Sequence, residues 1–234
     1  MKRLPEIIAH RGAPRDATEN TLASFEIALS QGADGIELDV HATRDGTVVV
    51  HHDPAIEHVS GPARPPRAIA SMTDVELALV RFADGQGVPT LDAVLTLVGR
   101  QATVYVEVKA LSIEAQVASV LSRHPSVRAA VHSFDHRVAV AVRDVRPPTA
   151  IGLLSASYPV LMASCVTDAS ADAMWQHYEL IDGALVRDTH QRGARLIAWT
   201  VNDPAAARAL VEMGVDGICT DVPGLMREAL SRVL

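Results

Sequence analysis

Glu37 and Asp39 stand two residues apart in an apolar run, Gly35-Ile36-Glu37-Leu38-Asp39-Val40. In a strand, alternate side chains share a face, so the two carboxylates point one way and Ile36, Leu38 and Val40 the other. Neighbouring carboxylates repel each other and lose solvation, and the usual justification for them is a cation, either a metal ion or a basic side chain. A third carboxylate has the same setting: in Val104-Tyr105-Val106-Glu107-Val108-Lys109, three valines alternate with Tyr105, Glu107 and Lys109. Oxygen-only ligation by Glu37, Asp39 and Glu107 suits one hard divalent cation, Mg2+ or Ca2+. Zinc would recruit histidine or cysteine. The alternative is a metal-free set of ion pairs with Arg11 and Lys109. Beside a dication, those two fixed positive charges make a site for an anion, foremost a phosphate.

Proton transfer has its own candidates. His10 follows the apolar run Ile7-Ile8-Ala9, and His52 sits in His51-His52-Asp53. A histidine titrates near neutrality, so one can take a proton while another gives one. His51, His132 and His136 read as structural or peripheral. Trp199 serves either as a flat wall for the apolar part of a substrate or as core.

These groups need a scaffold that brings distant segments together. Strand-like runs begin at residues 7, 35, 103, 129, 149, 171, 195 and 217, and helical periodicity falls between most of them. Helices are expected at 21–31, 112–123, 136–145, 182–192, 204–213 and 225–233, and a further one is capped by Pro89-Thr90-Leu91-Asp92. Asp203-Pro204 opens one helix and Gly214 closes it. No helix is assigned to 155–170. Eight strands alternating with helices predict an α/β fold, a single (β/α)8 TIM barrel spanning 1–234 as one domain. A doubly wound open sheet is weaker, because no Gly-x-Gly-x-x-Gly turn follows the first strand. Thr43-Arg44-Asp45-Gly46-Thr47 predicts a hairpin extending the second strand, with Asp39 opposite His51. Residues 54–89 carry five prolines and read as an insertion with one short helix near 73–80. In such a barrel the catalytic groups sit at the C-terminal ends of strands. The chemistry-bearing residues fall there repeatedly.

Composition narrows the class. The chain has 234 residues, 48% hydrophobic and 21% charged, with a formal net charge of −7. A general nucleic-acid binder would be basic, so no nucleic-acid partner is expected. Cys165 and Cys219 form no disulfide framework or zinc motif and read as small buried residues. No run is apolar and long enough for an integral membrane segment, and no leader precedes the first strand, which predicts a cytoplasmic protein.

Several ordered motifs together resemble the glycerophosphodiester phosphodiesterase family, within the phosphatidylinositol-phospholipase-C-like TIM barrels. They are Ile8-Ala9-His10-Arg11-Gly12, Glu19-Asn20-Thr21, Glu37-Leu38-Asp39-Val40, Thr43-Arg44-Asp45-Gly46, His52-Asp53-Pro54, Pro89-Thr90-Leu91, Glu107-Val108-Lys109, Ser133-Phe134, Trp199-Thr200-Val201-Asn202 and Gly214 through Asp221. The resemblance implies a divalent metal on Glu37, Asp39 and Glu107, acid–base histidines at His10 and His52, and phosphate contacts from Arg11 and Lys109. It also implies the insertion after His52-Asp53. Ala55 through Gly61 departs from the threonine-rich segment common there, which bears on substrate choice more than on chemistry. The implied reaction is metal-dependent hydrolysis of a small glycerophosphodiester to sn-glycerol 3-phosphate and an alcohol. The attacking group is water or the glycerol's neighbouring hydroxyl. The alternatives are a lysophospholipase D-like phosphodiesterase and a non-catalytic barrel that binds a phosphate metabolite.

Overall fold

A computed structural model describes residues 4–57, 65–161 and 163–231. The chain opens with β1 (Glu6–His10), α1 (Leu22–Ser30), β2 (Gly35–Ala42) and β3 (Val48–Val50). Two short strands follow, β4 (Ala55–Ile56) and β5 (Arg67–Ala68), then α2 (Asp74–Leu77) and α3 (Leu91–Val98). Strict alternation begins with β6 (Thr103–Val108), α4 (Glu114–Arg123), β7 (Ala129–Ser133), α5 (His136–Val145), β8 (Ala150–Ser155) and α6 (Ser164–Asp168). It ends with β9 (Ala173–His177), α7 (Gly183–Gln191), β10 (Arg195–Trp199), α8 (Pro204–Met213), β11 (Gly217–Thr220) and α9 (Pro223–Ser231). Parallel pairing runs β1-β11-β10-β9-β8-β7-β6-β2, and β1 also pairs β2, which closes an eight-stranded barrel. This is the expected fold.

Local signals explain most boundaries. The Thr21, Thr90 and Asp203 side chains accept backbone N–H groups at the starts of α1, α3 and α8. Gly214 ends α8 with φ 101°, a left-handed conformation that favours glycine. Thr73 and Glu76 form a reciprocal capping box that holds the short α2. The hairpin has the expected register: Val40 pairs Val50, and the His51 N–H donates to the Asp39 carbonyl.

Some details differ. A strand expected from 171 begins at Ala173, because Ala171 still closes the turn after α6 through its N–H to the Val166 carbonyl. β10 stops at Trp199 rather than 201. The β4–β5 hairpin in the insertion has strands of two residues, too short to carry a periodic signal. Residues 58–64, including His58-Val59-Ser60-Gly61, lie outside the described residues, as do residues 232–234 at the end of the expected last helix. Among the described residues, no helix is long and apolar enough to cross a membrane.

The apolar interior has two layers. Ile36, Leu38, Val40, Val104, Val106 and Val108 pack outward beneath helices in one large core, and β8 to β11 do the same in a second. Inside the barrel, Ile8, Tyr105, Leu154, Trp175, Ile197 and Cys219 form a smaller cluster. Its size depends on Gly152, where an added Cβ would lie 2.7 Å from Trp175 Cδ1 and Nε1. Trp175 is 2% exposed and has little room to yield. Gly152→Ala is therefore expected to cost about 1–3 kcal/mol through overpacking, read as a lower urea midpoint at unchanged m-value. An unchanged midpoint would show that the interior has slack.

Candidate active site

Strand register assembles the site. Across β1 and β2, His10 lies beside Glu37; across β2 and β6, Asp39 lies beside Glu107; across β6 and β7, Glu107 lies beside His132. The carboxylates of Glu37, Asp39 and Glu107 are buried, pointing into the barrel as alternation requires. Glu37, Glu107 and His132 each offer one ligand atom, all within 4.8 Å of one another.

Asp39 stands outside that group. Its Oδ2 accepts from Asn20 Nδ2 at 2.9 Å and faces Arg11 Nε at 3.2 Å; its Oδ1 lies 3.6 Å from Lys109 Nζ. Asn20 Oδ1 in turn accepts the Asp39 N–H at 3.4 Å, so the Glu19-Asn20-Thr21 turn both caps α1 and holds Asp39. Burial opposes ionisation of Asp39, but Arg11, Asn20 and Lys109 outweigh it, and its carboxyl falls below the ordinary range. Glu107 moves the other way. Burial and then the charges of Glu37 and Asp39 raise it, despite Lys109 Nζ at 3.1 Å.

This electrostatic pattern tests the fit to a divalent cation. Asp39 Oδ1 is buried without a hydrogen-bond partner among the described residues. Glu107 is raised by burial and then by its carboxylate neighbours. An unpartnered carboxylate oxygen and a carboxyl held toward its neutral form leave acceptors for a cation, and the residues present fit a hard dication. Arg11 and Lys109 supply part of the missing charge. Arg11 also reaches Glu19 Oε1 at 2.9 Å, and its backbone N–H donates to Glu37 Oε2 at 3.2 Å.

Each expected acid–base histidine is tied to a carboxylate. His10 Nδ1 donates to Asp221 Oδ1 at 2.7 Å, leaving Nε2 toward Glu37 Oε2 at 4.0 Å. Burial works against protonation of His10, but the Asp221 hydrogen bond and the Glu37 charge prevail, so its pKa lies above the ordinary histidine value. Asp221 is fixed by Asn202, whose Nδ2 donates to Oδ2 at 2.6 Å and whose Oδ1 accepts the Asp221 N–H at 2.8 Å. His52 Nδ1 donates to Asp53 Oδ1 at 2.8 Å, and His41 Nε2 meets the His52 carbonyl at 3.1 Å.

His10, Arg11, Glu37, His52, Glu107, Lys109 and Trp199 line one cavity of ≈ 120 Å³; Asp39, alone of the expected site residues, does not. Trp199 forms its apolar wall with Phe134, the rings edge to face at 5.4 Å. His51 stacks on Phe82 and His136 bonds the Leu154 carbonyl, and neither lines this cavity. His132 departs from expectation, buried beside Glu37 and Glu107. Asp221 and Asn202 were legible as residues following β11 and β10 and as members of the family motifs; nothing in the sequence paired them with His10. A larger cavity, ≈ 940 Å³, opens at the other end of the barrel. Ionic side chains there pair with each other, Arg195 with Glu6 and Arg227 with Asp34.

Comparison with known proteins bears on this geometry. A family model described as the glycerophosphoryl diester phosphodiesterase family matches residues 10–225. A glycerophosphodiester phosphodiesterase of Caldanaerobacter subterraneus subsp. tengcongensis (strain DSM 15242 / JCM 11007 / NBRC 100824 / MB4) is 31% identical over 237 residues, covering 95% of this chain and 96% of that one. Among solved structures, an Oleispira antarctica phosphodiesterase in complex with the product sn-glycerol-3-phosphate superposes with a TM-score of 0.86 at 25% identity, covering 97% of both chains. A glycerophosphodiester phosphodiesterase from Agrobacterium tumefaciens str. C58 gives 0.83 at 26% identity, covering 96% of this chain and 100% of that one.

The His10–Asp221 bond has a direct readout. Asp221→Asn removes the charge and weakens the hydrogen bond that raise His10, so the His10 midpoint is expected to fall in an NMR titration of its Cε1–H. An unmoved or higher midpoint would show that Asp221 does not set the protonation of His10.

Proposed function

We infer the chemistry from one premise: the chain belongs to the glycerophosphoryl diester phosphodiesterase family. It is a glycerophosphodiester phosphodiesterase. We read the barrel and its 54–89 insertion as one catalytic domain that yields sn-glycerol 3-phosphate and an alcohol. The observation that carries this reading is the convergence of two carboxylate-held histidines, an acidic cluster and two cations on one cavity.

In the proposed mechanism Arg11 and Lys109 bind the phosphate and orient it against the histidines. Trp199 and Phe134 provide the apolar surface on which the carbon skeleton packs. Glu37, Asp39 and Glu107 would hold a divalent cation, Mg2+ or Ca2+, which when bound offsets charge building on the phosphate oxygens. His10 is the general base, taking the proton of the attacking water, or of the glycerol's neighbouring hydroxyl in a route whose cyclic phosphate water then opens, as that oxygen bonds phosphorus and the bond to the leaving alcohol breaks. Asp221 holds its Nδ1–H, so Nε2 presents a lone pair to the cavity, and a raised pKa makes it a better proton acceptor. His52 is the general acid. Its side chain is 34% exposed against 21% for His10, which suits a leaving alcohol departing toward solvent. Asp53 holds its ring through Nδ1.

A second substrate reading has one observation in its favour. Leu111, Phe134, Val160 and Leu161 are exposed on the loops after β6, β7 and β8, at the catalytic end of the barrel. Such a rim suits a lysophospholipid. A substrate panel decides between the two: choline release from lysophosphatidylcholine but not from glycerophosphocholine would overturn the glycerophosphodiester assignment.

The division of proton work makes a sharper prediction. His10→Ala is expected to lower turnover by roughly 10²- to 10⁴-fold on every diester. His52→Ala is expected to lose as much on alkyl diesters and far less on a p-nitrophenyl diester, whose leaving group needs no proton. Equal losses on both substrate types would reverse or abolish the assignment. For the cation, chelator-stripped protein is expected to bind one Mg2+ or Ca2+ in calorimetry. Glu107→Gln should weaken that binding by more than about tenfold, the effect of losing even an outer-shell partner. Absence of binding by the unaltered protein would remove the cation from the mechanism.

A further inference from the structure

His132 is a buried polar group that the mechanism above leaves without a task. It is 1% exposed, and its ring lies flat on Trp175, with centroids 4.3 Å apart and planes 9° from parallel. Register puts it beside Glu107 on β6 and beside Gly152 on β8. Gly152 matters here, because an added Cβ would press on both Trp175 and the His132 Cβ, the latter at 3.3 Å. Trp175 is itself braced edge-on by Tyr105, at 5.1 Å and 69°. The imidazole is thus clamped in one orientation.

In that orientation its two nitrogens have different surroundings. Nε2 faces Glu37 Oε1 at 3.6 Å. Nδ1 is buried with no hydrogen-bond partner among the described residues. An ionised carboxylate only accepts hydrogen bonds, so the nitrogen facing it is the one to carry a proton. Nδ1 is unpaired in either tautomer, so the carboxylate facing Nε2 decides between them and places the proton on Nε2. A metal-ligating histidine requires the reverse: a bare Nε2, and an Nδ1–H donated to a carboxylate, carbonyl or water. Among the described residues, His132 Nδ1 has no such partner, although the ring lies within ligand distance of Glu37 and Glu107.

We propose that His132 is a positioning residue for Glu37, its Nε2–H aimed at Glu37 Oε1 by the stack on Trp175, so that the carboxylate is presented to a divalent cation in one orientation. Glu37 Oε2 already accepts the Arg11 backbone N–H at 3.2 Å. With His132 on the other oxygen, both ends of the carboxylate are held, and its remaining lone pairs face the acidic cluster. This inference rests on the cation reading above, and its test separates the two.

Two substitutions divide the ring's properties. His132→Phe keeps a flat aromatic on Trp175 and removes the donor. His132→Gln loses the ring, but its amide nitrogen sits at the same bond distance from the backbone as Nε2. Divalent-cation affinity is measured by calorimetry on chelator-stripped protein, with circular dichroism confirming the fold. His132→Phe is expected to weaken the cation by roughly 10- to 100-fold, the range for losing an outer-shell partner. His132→Gln should retain most of the affinity. A purely structural role predicts the opposite order. Phe binding as tightly as the unaltered protein, or Gln losing as much as Phe, overturns the proposal and leaves the cation reading standing. No binding by the unaltered protein overturns the cation reading and this inference with it. The tautomer is read independently, from long-range 15N–1H correlation of the unaltered, cation-free protein. The proton is expected on Nε2, and finding it on Nδ1 overturns the proposal whatever the variants do.

Discussion

Repulsion among Glu37, Asp39 and Glu107 is the constraint around which this molecule is built. Three buried carboxylates on adjacent strands are costly unless each is compensated. The parallel register of β1, β2 and β6 allows no escape, because alternation commits all three to the barrel interior. Compensation comes from the ends of the same strands: Arg11 follows β1, Lys109 follows β6, and Asn20 arrives from the turn before α1. The barrel's habit of placing polar residues at strand C-termini is here an electrostatic necessity as much as a functional one.

Holding those groups still falls to the packing beneath them. The interior cluster is small, and its largest members are aromatic: Tyr105 against Trp175, and Trp175 against His132. Tyr105 is anchored in turn, donating its hydroxyl to Glu6 and accepting from Arg195. A row of contacts therefore runs from an ion pair at one end of the barrel to the acidic cluster at the other. Rings have few rotamers, so such a row transmits position well. Gly152 leaves the room in which the row closes.

Much of this was legible in the sequence, for reasons that also mark where legibility ends. Strand alternation is a local property, so the inward direction of Glu37, Asp39, Glu107 and Lys109 followed from their immediate neighbours. Caps such as Thr90 and Asp203-Pro204 are equally local, and those helices begin where expected. The hairpin register followed from turn chemistry at Asp45-Gly46. Partnerships across the barrel are another matter. Asp221 meets His10 only because β11 closes onto β1, 211 residues away. His132 looked like any histidine at a strand end, and its place beside Glu37 and Glu107 depends on shear between strands, which no local pattern encodes. Asp39 likewise reads as an equivalent of Glu37, while the structure gives it more cationic partners than Glu37 and a place off the cavity wall.

Counting charges at the site connects its fold to its turnover. Three carboxylates against Arg11 and Lys109 leave one negative charge, which adds to burial in raising Glu107. On the cation reading, a dication converts that to one positive charge, and a phosphodiester monoanion then brings the site to neutrality. Hydrolysis changes the balance. A phosphate monoester carries about −1.5 to −2 charges near pH 7, since its second pKa is near 6. The product therefore leaves the site with surplus negative charge in a region already lined by carboxylates. Substrate completes the electrostatic balance and product exceeds it, so the acidic cluster that makes folding awkward also favours release of the phosphate once the ester bond is broken.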